Sequence, residues 1–146
     1  PTLHGGQQGP HGDDGLAAFE YRDDGFAVLL ETSGAHDISR IDPRVRRIVD
    51  LKCPSSGEAA RNRWENIAHL TPRDEIKFVL ASRADYEWAR EVMRSQKLDQ
   101  VCPILFSPVQ GELPPVQLAE WVLADRLPVR MQVQMHKILW GNTPGR

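Results

Sequence analysis

The stretch Asp74-Glu75-Ile76-Lys77-Phe78-Val79-Leu80-Ala81-Ser82-Arg83-Ala84-Asp85-Tyr86-Glu87-Trp88-Ala89 decides the class of fold. Ile76 to Leu80 is short and mostly apolar, and reads as a strand. Ser82 then offers a side-chain oxygen to the orphan N–H groups of a first helical turn. Asp85 follows three residues on, a capping box with Asp in place of Glu. Tyr86, Ala89 and Met93 fall at i, i+3 and i+7, which predicts a helix over 83–97 with one apolar side. A strand therefore runs directly into a helix.

The same alternation continues outward. Downstream, Val101 to Phe106 reads as a strand. Pro114-Pro115 opens a helix carrying Leu118, Trp121 and Val122, because the missing proline N–H has no partner to lose in a first turn. Pro128 closes it, and Val129 to Met135 reads as the last strand. Upstream, Ala27-Val28-Leu29-Leu30 and Ile48-Val49-Asp50-Leu51-Lys52 read as strands. A loop through Pro54-Ser55-Ser56-Gly57 leads to a predicted helix over 58–69, with Trp64, Ile67 and Ala68 on one side. Residues 16–22 read as a short helix, and Gly5 to Gly15, without an apolar residue, as loop. Strands alternating with helices predict an α/β fold with a mainly parallel sheet, open or closed as a barrel. No repeat divides the chain, so residues 1–146 read as a single domain.

Composition narrows the function classes. The chain has 146 residues, 40% apolar and 26% charged, with 20 acidic against 18 basic side chains. That is an ordinary globular balance. A nucleic-acid partner is not expected, since binding led by phosphates requires a strongly basic surface. No apolar run approaches the roughly 20 residues of a membrane span, and no secretory signal opens the sequence. Cys53 and Cys102 lie too far apart in sequence for a metal pair, and are read as buried small hydrophobes. A reducing, cytoplasmic compartment is the expectation. The start at Pro1, without Met, reads as a fragment or cleaved product.

Parallel α/β folds place their sites beyond the carboxyl ends of the strands. The groups expected there are Gly5-Gly6, Glu31-Thr32-Ser33-Gly34, Asp50-Leu51-Lys52, Ser107-Pro108-Val109-Gln110-Gly111 and His136-Lys137. Gly5-Gly6 would let a backbone approach a ligand closely, or simply turn. Glu31 could accept ribose hydroxyls or an amino group, or cap a turn in solvent. Lys52 could meet a carboxylate or snorkel. From Val129 to His136 apolar and polar residues alternate strictly, which fits either a half-exposed edge strand or a barrel strand with a wet polar face. His136 could donate to a substrate, carry a proton or cap an element. The five histidines lack metal-ligand spacing.

These residues carry a resemblance. From Leu30 onward the chain resembles the 7-carboxy-7-deazaguanine synthase family, radical S-adenosylmethionine enzymes of queuosine and 7-deazapurine biosynthesis. The matching stretches are Leu30 to Gly34, Ile48 to Glu58, Asp74 to Val79, Arg83 to Ala89, Leu105 to Val109, Leu118 to Trp121, Leu127 to Arg130 and Gln134 to Lys137. The resemblance implies a partial triosephosphate-isomerase-like (β/α) barrel of the radical S-adenosylmethionine type, lacking its N-terminal strand and cluster loop. It implies a lyase that contracts 6-carboxy-5,6,7,8-tetrahydropterin to 7-carboxy-7-deazaguanine. A 4Fe–4S cluster would cleave S-adenosylmethionine to a 5′-deoxyadenosyl radical, with Mg²⁺ assisting. A small-molecule pterin partner, a homodimer and a cytoplasmic location are implied as well.

Carried over residue by residue, the resemblance implies that Gly6, Ser33, Asp50, Leu51, Lys52, Ser107, Pro108, Val109 and Gln110 border the cofactor. His4, Glu31, His136, Lys137 and Arg146 would border the substrate. No catalytic residue is assigned, and no metal ligand is expected in this chain: the Cys-x3-Cys-x-x-Cys motif is absent, so cluster and Mg²⁺ are expected from an N-terminal part. The family's Gly-Gly-Glu-Pro reads Gly5-Gly6-Gln7-Gln8 here, and Gln7 cannot pair electrostatically with the methionine ammonium. The chain alone is therefore expected to be inactive. The alternative is a cluster-free, degenerate homologue that binds a pterin or nucleoside without turnover.

Overall fold

A computed structural model describes residues 27–133 and Leu139. Five strands form one sheet: β1 (Leu29–Ser33), β2 (Arg46–Leu51), β3 (Glu75–Leu80), β4 (Ile104–Pro108) and β5 (Arg130–Met131). They lie in consecutive order, and every neighbouring pair is parallel. The fold is thus α/β with a parallel sheet. The helix α1 (Arg83–Gln96) connects β3 to β4, and α2 (Pro115–Asp125) connects β4 to β5.

Side chains alternate across a strand, and here the two faces divide sharply. Val49 and Leu51 of β2, Ile76, Phe78 and Leu80 of β3, and Ile104 and Phe106 of β4 join one core with Tyr86, Ala89 and Met93 of α1 and Leu118 of α2. Each large apolar side chain buried there contributes roughly 1.5–3 kcal/mol. Phe106 meets Phe78 and Tyr86 edge-on, with ring centroids 5.7 and 6.0 Å away, the arrangement ring quadrupoles favour. The opposite face carries Glu31 and Ser33, Ile48 and Asp50, Glu75 and Lys77, and Ser107, as the strand registers require.

The expected elements around β3 hold. Asp85 N–H donates to Ser82 Oγ at 3.2 Å, so Ser82 caps α1. The other half of the box differs: the Asp85 carboxylate accepts from the N–H groups of Ala81 and Ser55 instead, both at 2.9 Å. Lys97, in the left-handed conformation, ends the helix. Pro115 sits in the first turn of α2 as expected.

Other expectations shift. The first strand is not 27–30 but Leu29–Ser33, so Glu31 and Ser33 lie within a strand rather than after one. The fourth strand starts at Ile104, not 101, because a turn at Leu98–Gln100 and then Pro103 occupy the intervening chain. The helix expected over 58–69 does not form. Two short 3₁₀ turns replace it, Ala59–Arg61 and Trp64–His69, after a third at Pro54–Ser56 in the expected loop. Asn62 and Asn66 turn inward there and bind loop backbone, a competition that polar side chains often win over a helix ladder. The last strand pairs parallel to β4 as expected, but only over Arg130–Met131. Val129 and Met131 pack on the core, whereas Gln132 is exposed. The short helix over 16–22, the glycine-rich loop and Gln134 lie outside the described residues.

Two ion-pair groups fasten the amino edge of the sheet. Arg47, buried on the core side, donates to both carboxylate oxygens of buried Asp74 and to the His69 carbonyl. On the opposite face the buried carboxylate of Glu75 receives Arg46 from β2 and Arg130 from β5. The second of these contacts passes over β4, which lies between β3 and β5.

Candidate functional site

The carboxyl ends of β1 and β2 are locked together by small and amide side chains. Gly34 N–H donates to the Asp50 carbonyl at 2.8 Å. A Cβ at Gly34 would stand 2.8 Å from Leu51 Cδ2 and 3.2 Å from that carbonyl oxygen, so only glycine fits without displacement. Buried Asn62 closes on the next residue of β2's exit: its Oδ1 accepts from Lys52 N–H and its Nδ2 donates to the Lys52 carbonyl, both at 2.9 Å. Asn66 does the same for the loop after β1. Its Oδ1 accepts from Ile38 N–H, and its Nδ2 donates to the carbonyls of His36 and Gly34. Asp85 ties the turn at Ser55 to Ala81 beyond β3.

On this frame sits a cluster of charge. Asp50 Oδ2 accepts from Lys52 Nζ at 2.8 Å. Asp50 Oδ1 is buried and has no hydrogen-bond partner among the described residues, an uncommon and costly state for a carboxylate oxygen. Asp50 and Lys52 border two cavities. One, of about 200 Å³, lies over the sheet and is lined by Glu31, Ser33, Ile48 and Lys77 in addition to this pair. The other, of about 230 Å³, lies beyond the ends of β2, β3 and β4, against Leu51, Cys53, Asp85 and Val109. Burial, with Asp85 and Asp50 nearby, pushes the Cys53 thiol well above its ordinary range, so it stays a neutral thiol.

The residues singled out from the sequence therefore separate. Glu31, Ser33, Asp50 and Lys52 share the first cavity. Asp50, Leu51, Lys52 and Val109 share the second. Pro108 and Gln110 line a third of about 310 Å³, with Gly111 and Val133. Ser107 stands on the same sheet face but is buried and lines none of these three, so it does not share one cavity with Glu31 and Lys52 as expected. His4, Gly6, His136, Lys137 and Arg146, and Gln7 with them, lie outside the described residues. Sequence reasoning passed over Lys77, Asn62 and Asn66, and read Asp85 only as a capping residue. Lys77 alone had left a visible signal, a charge inside an apolar strand.

The two cysteines do not fit a cluster. Cys53 follows the carboxyl end of β2, and Cys102 precedes the amino end of β4. Both are buried, and burial pushes the Cys102 thiol up to about 12. Among the described residues no group of three His, Cys, Asp or Glu side chains gathers for a metal ion. No helix among them is long and apolar enough to cross a membrane. What the cavities offer is polar recognition: a buried carboxylate oxygen for a donor, and ammonium groups for an anion.

No protein-family model matches the chain. Similarity to curated proteins is extensive. The chain is 48% identical over 116 residues to a protein of Chlorobaculum tepidum, covering 77% of this chain and 53% of that protein. It is 44% identical over 129 residues to a protein of Koribacter versatilis, covering 80% and 57%. A protein of Leptospira interrogans is 39% identical over 123 residues, covering 80% and 50%. All three bear the name 7-carboxy-7-deazaguanine synthase. The chain is homologous to a portion of these synthases, and spans about half the length of the curated relatives it matches.

Proposed function

We propose that this chain is the C-terminal portion of a 7-carboxy-7-deazaguanine synthase, an enzyme of queuosine and 7-deazapurine biosynthesis acting in the cytoplasm. The observation that carries the reading is the 48% identity over 116 residues to a protein of that name. The parallel sheet, with cavities and charge gathered at its carboxyl ends, supports a partial (β/α) barrel. The reaction would be the radical ring contraction of 6-carboxy-5,6,7,8-tetrahydropterin, in a homodimer and with Mg²⁺.

The cofactor, S-adenosylmethionine, supplies the radical when bound. The described residues fit a role in holding it: Asp50 Oδ1 is buried and open to a donor, and Glu31 and Lys52 line the same cavity. Asp50 takes the Lys52 ammonium on its other oxygen and so sets where that charge stands. Asn62 and Gly34 fix the backbone beneath both. The residues present do not fit the cluster, since the chain has two cysteines and they leave opposite edges of the sheet. No step through it is assigned to them.

Two experiments test the reading. A chimera in which this chain replaces the matching 116-residue segment of the Chlorobaculum tepidum protein should form 7-carboxy-7-deazaguanine from the pterin. A folded, cluster-loaded chimera without product would overturn it. The chain alone, reconstituted anaerobically with iron and sulfide and given dithionite and S-adenosylmethionine, should release no 5′-deoxyadenosine above a control without protein.

A further inference from the structure

Lys77 and Asp50 face each other on neighbouring strands, β3 and β2, and line one cavity. They do not pair. Asp50 spends one oxygen on Lys52 and leaves the other buried without a partner. Lys77 is half-buried, and among the described residues no carboxylate stands within ion-pair distance of it. Glu31, the other acid of the cavity, is exposed and lies on the far strand, β1.

Each group by itself is costly. A partly desolvated ammonium without an anion, and a buried carboxylate oxygen without a donor, are both states that folding normally avoids. The position of Lys77 would accept an apolar side chain as readily as Val79 does on the same face. One kind of ligand satisfies both at once: a carboxylate, directed at Lys77, with an N–H donor next to it, directed at Asp50 Oδ1. An ammonium paired with a carboxylate forms a charge-assisted bond of about twice the neutral strength.

Resting on the proposed reading of this cavity as a ligand site, we propose that Lys77 selects a ligand carboxylate there, acting beside the open oxygen of Asp50. Two ligands of that reading carry a carboxylate with a neighbouring N–H. One is S-adenosylmethionine, through its amino-acid end. The other is 6-carboxytetrahydropterin, through the ring nitrogen beside its carboxylate.

The test is anaerobic titration calorimetry on the full 146-residue chain. The ligands are S-adenosylmethionine, decarboxylated S-adenosylmethionine, 6-carboxytetrahydropterin and tetrahydropterin, each against the native chain and the K77M, K77Q and K77R variants. Thermal melting establishes which variants fold. In the native chain one carboxylated ligand should outbind its decarboxylated counterpart by roughly tenfold or more, and the pair that shows it names the source. That ratio should fall toward one in K77M and K77Q and survive in part in K77R, while affinity for the decarboxylated ligand stays put. A ratio unchanged in folded K77M or K77Q overturns the role of Lys77 and leaves the ligand site standing. A ratio near one in the native chain also overturns it. Binding of none of the four overturns both the ligand site and the role of Lys77.

Discussion

The Asn62 carboxamide holds Lys52 by both of its main-chain groups, taking the N–H on Oδ1 and giving Nδ2 to the carbonyl, each at 2.9 Å. A helix or strand would have satisfied those two groups with backbone; here one buried side chain does it. Asn62→Ala would strand both, at a cost of about 1–3 kcal/mol for each group that water cannot reach. Asn62→Asp keeps the acceptor but turns a second oxygen toward the Lys52 carbonyl. Urea unfolding should therefore give a loss of about 2 kcal/mol or more for both variants. A change within about 0.5 kcal/mol, typical of a surface substitution, would show that the clasp is dispensable.

Gly34→Ala tests the close approach of β1's exit to β2. The added methyl would press on Leu51 Cδ2 and on the Asp50 carbonyl. The leucine can give way by a rotamer change, but the backbone oxygen cannot. Overpacking of this kind costs about 1–3 kcal/mol. The expected outcome is a lowered melting temperature, together with weaker ligand binding at the cavity bordered by Asp50.

Arg47 and Asp74 form a buried pair, and removing one partner leaves a charge uncompensated. Arg47→Met should destabilise the fold by about 3–5 kcal/mol, read by denaturant unfolding at neutral pH.

The same pair predicts a pH dependence. Burial raises the pKa of Asp74, but hydrogen bonds from Arg47 and Thr71 outweigh it, so its carboxyl titrates below the ordinary 3.8. The unfolded chain then binds a proton at a pH where the folded chain does not. The contribution is fully present above the ordinary value and is lost as pH falls from there through the lower folded value. Stability measured between about pH 5 and pH 2 should fall more steeply for the native chain than for Asp74→Asn. Equal slopes would remove Asp74 from the acid response.

Asp125 gathers two groups. Its Oδ2 accepts from the Tyr86 hydroxyl and from Arg90 Nη1, tying α2 to α1. Burial and the Asp125 carboxylate together push the Tyr86 phenol well above its ordinary range. In an ultraviolet titration, Tyr86 should ionise at higher pH in the native chain than in Asp125→Asn, where the repelling charge is gone.

The parallel sheet, α1 with its Ser82 cap, and α2 with its proline start were legible because each is written locally, in apolar spacing and in cap chemistry. The chain between β2 and β3 was not. Trp64, Ile67 and Ala68 have helical spacing, yet Asn62 and Asn66 find better partners in loop backbone than in a helix. Those partners, Lys52 and Gly34, are distant in sequence, and no local pattern announces them. Glu31, Asp50 and Lys52 were expected near one another, and they do line one cavity, although Glu31 lies within β1 and not after it. Ser107 looked equivalent, but β4 is buried on both faces up to Ser107, which the sequence does not show. Lys77 was passed over because attention to strand ends neglects the middle of a strand, whose side chains also line the cavity over the sheet.

Glu75 gives the amino edge of the sheet a property that the carboxyl edge lacks among the described residues. Arg46 and Arg130 reach its single carboxylate from strands on either side, one of them across an intervening strand. Parting β2 or β5 from β3 at this edge would pull an arginine off a buried carboxylate, so the three side chains act as a drawstring gathered across four strands. The mouth above Asp50 and Lys52 has no such tie. The amino edge is thus gathered by one carboxylate shared across strands, and the carboxyl edge by short local clasps at Gly34 and Asn62.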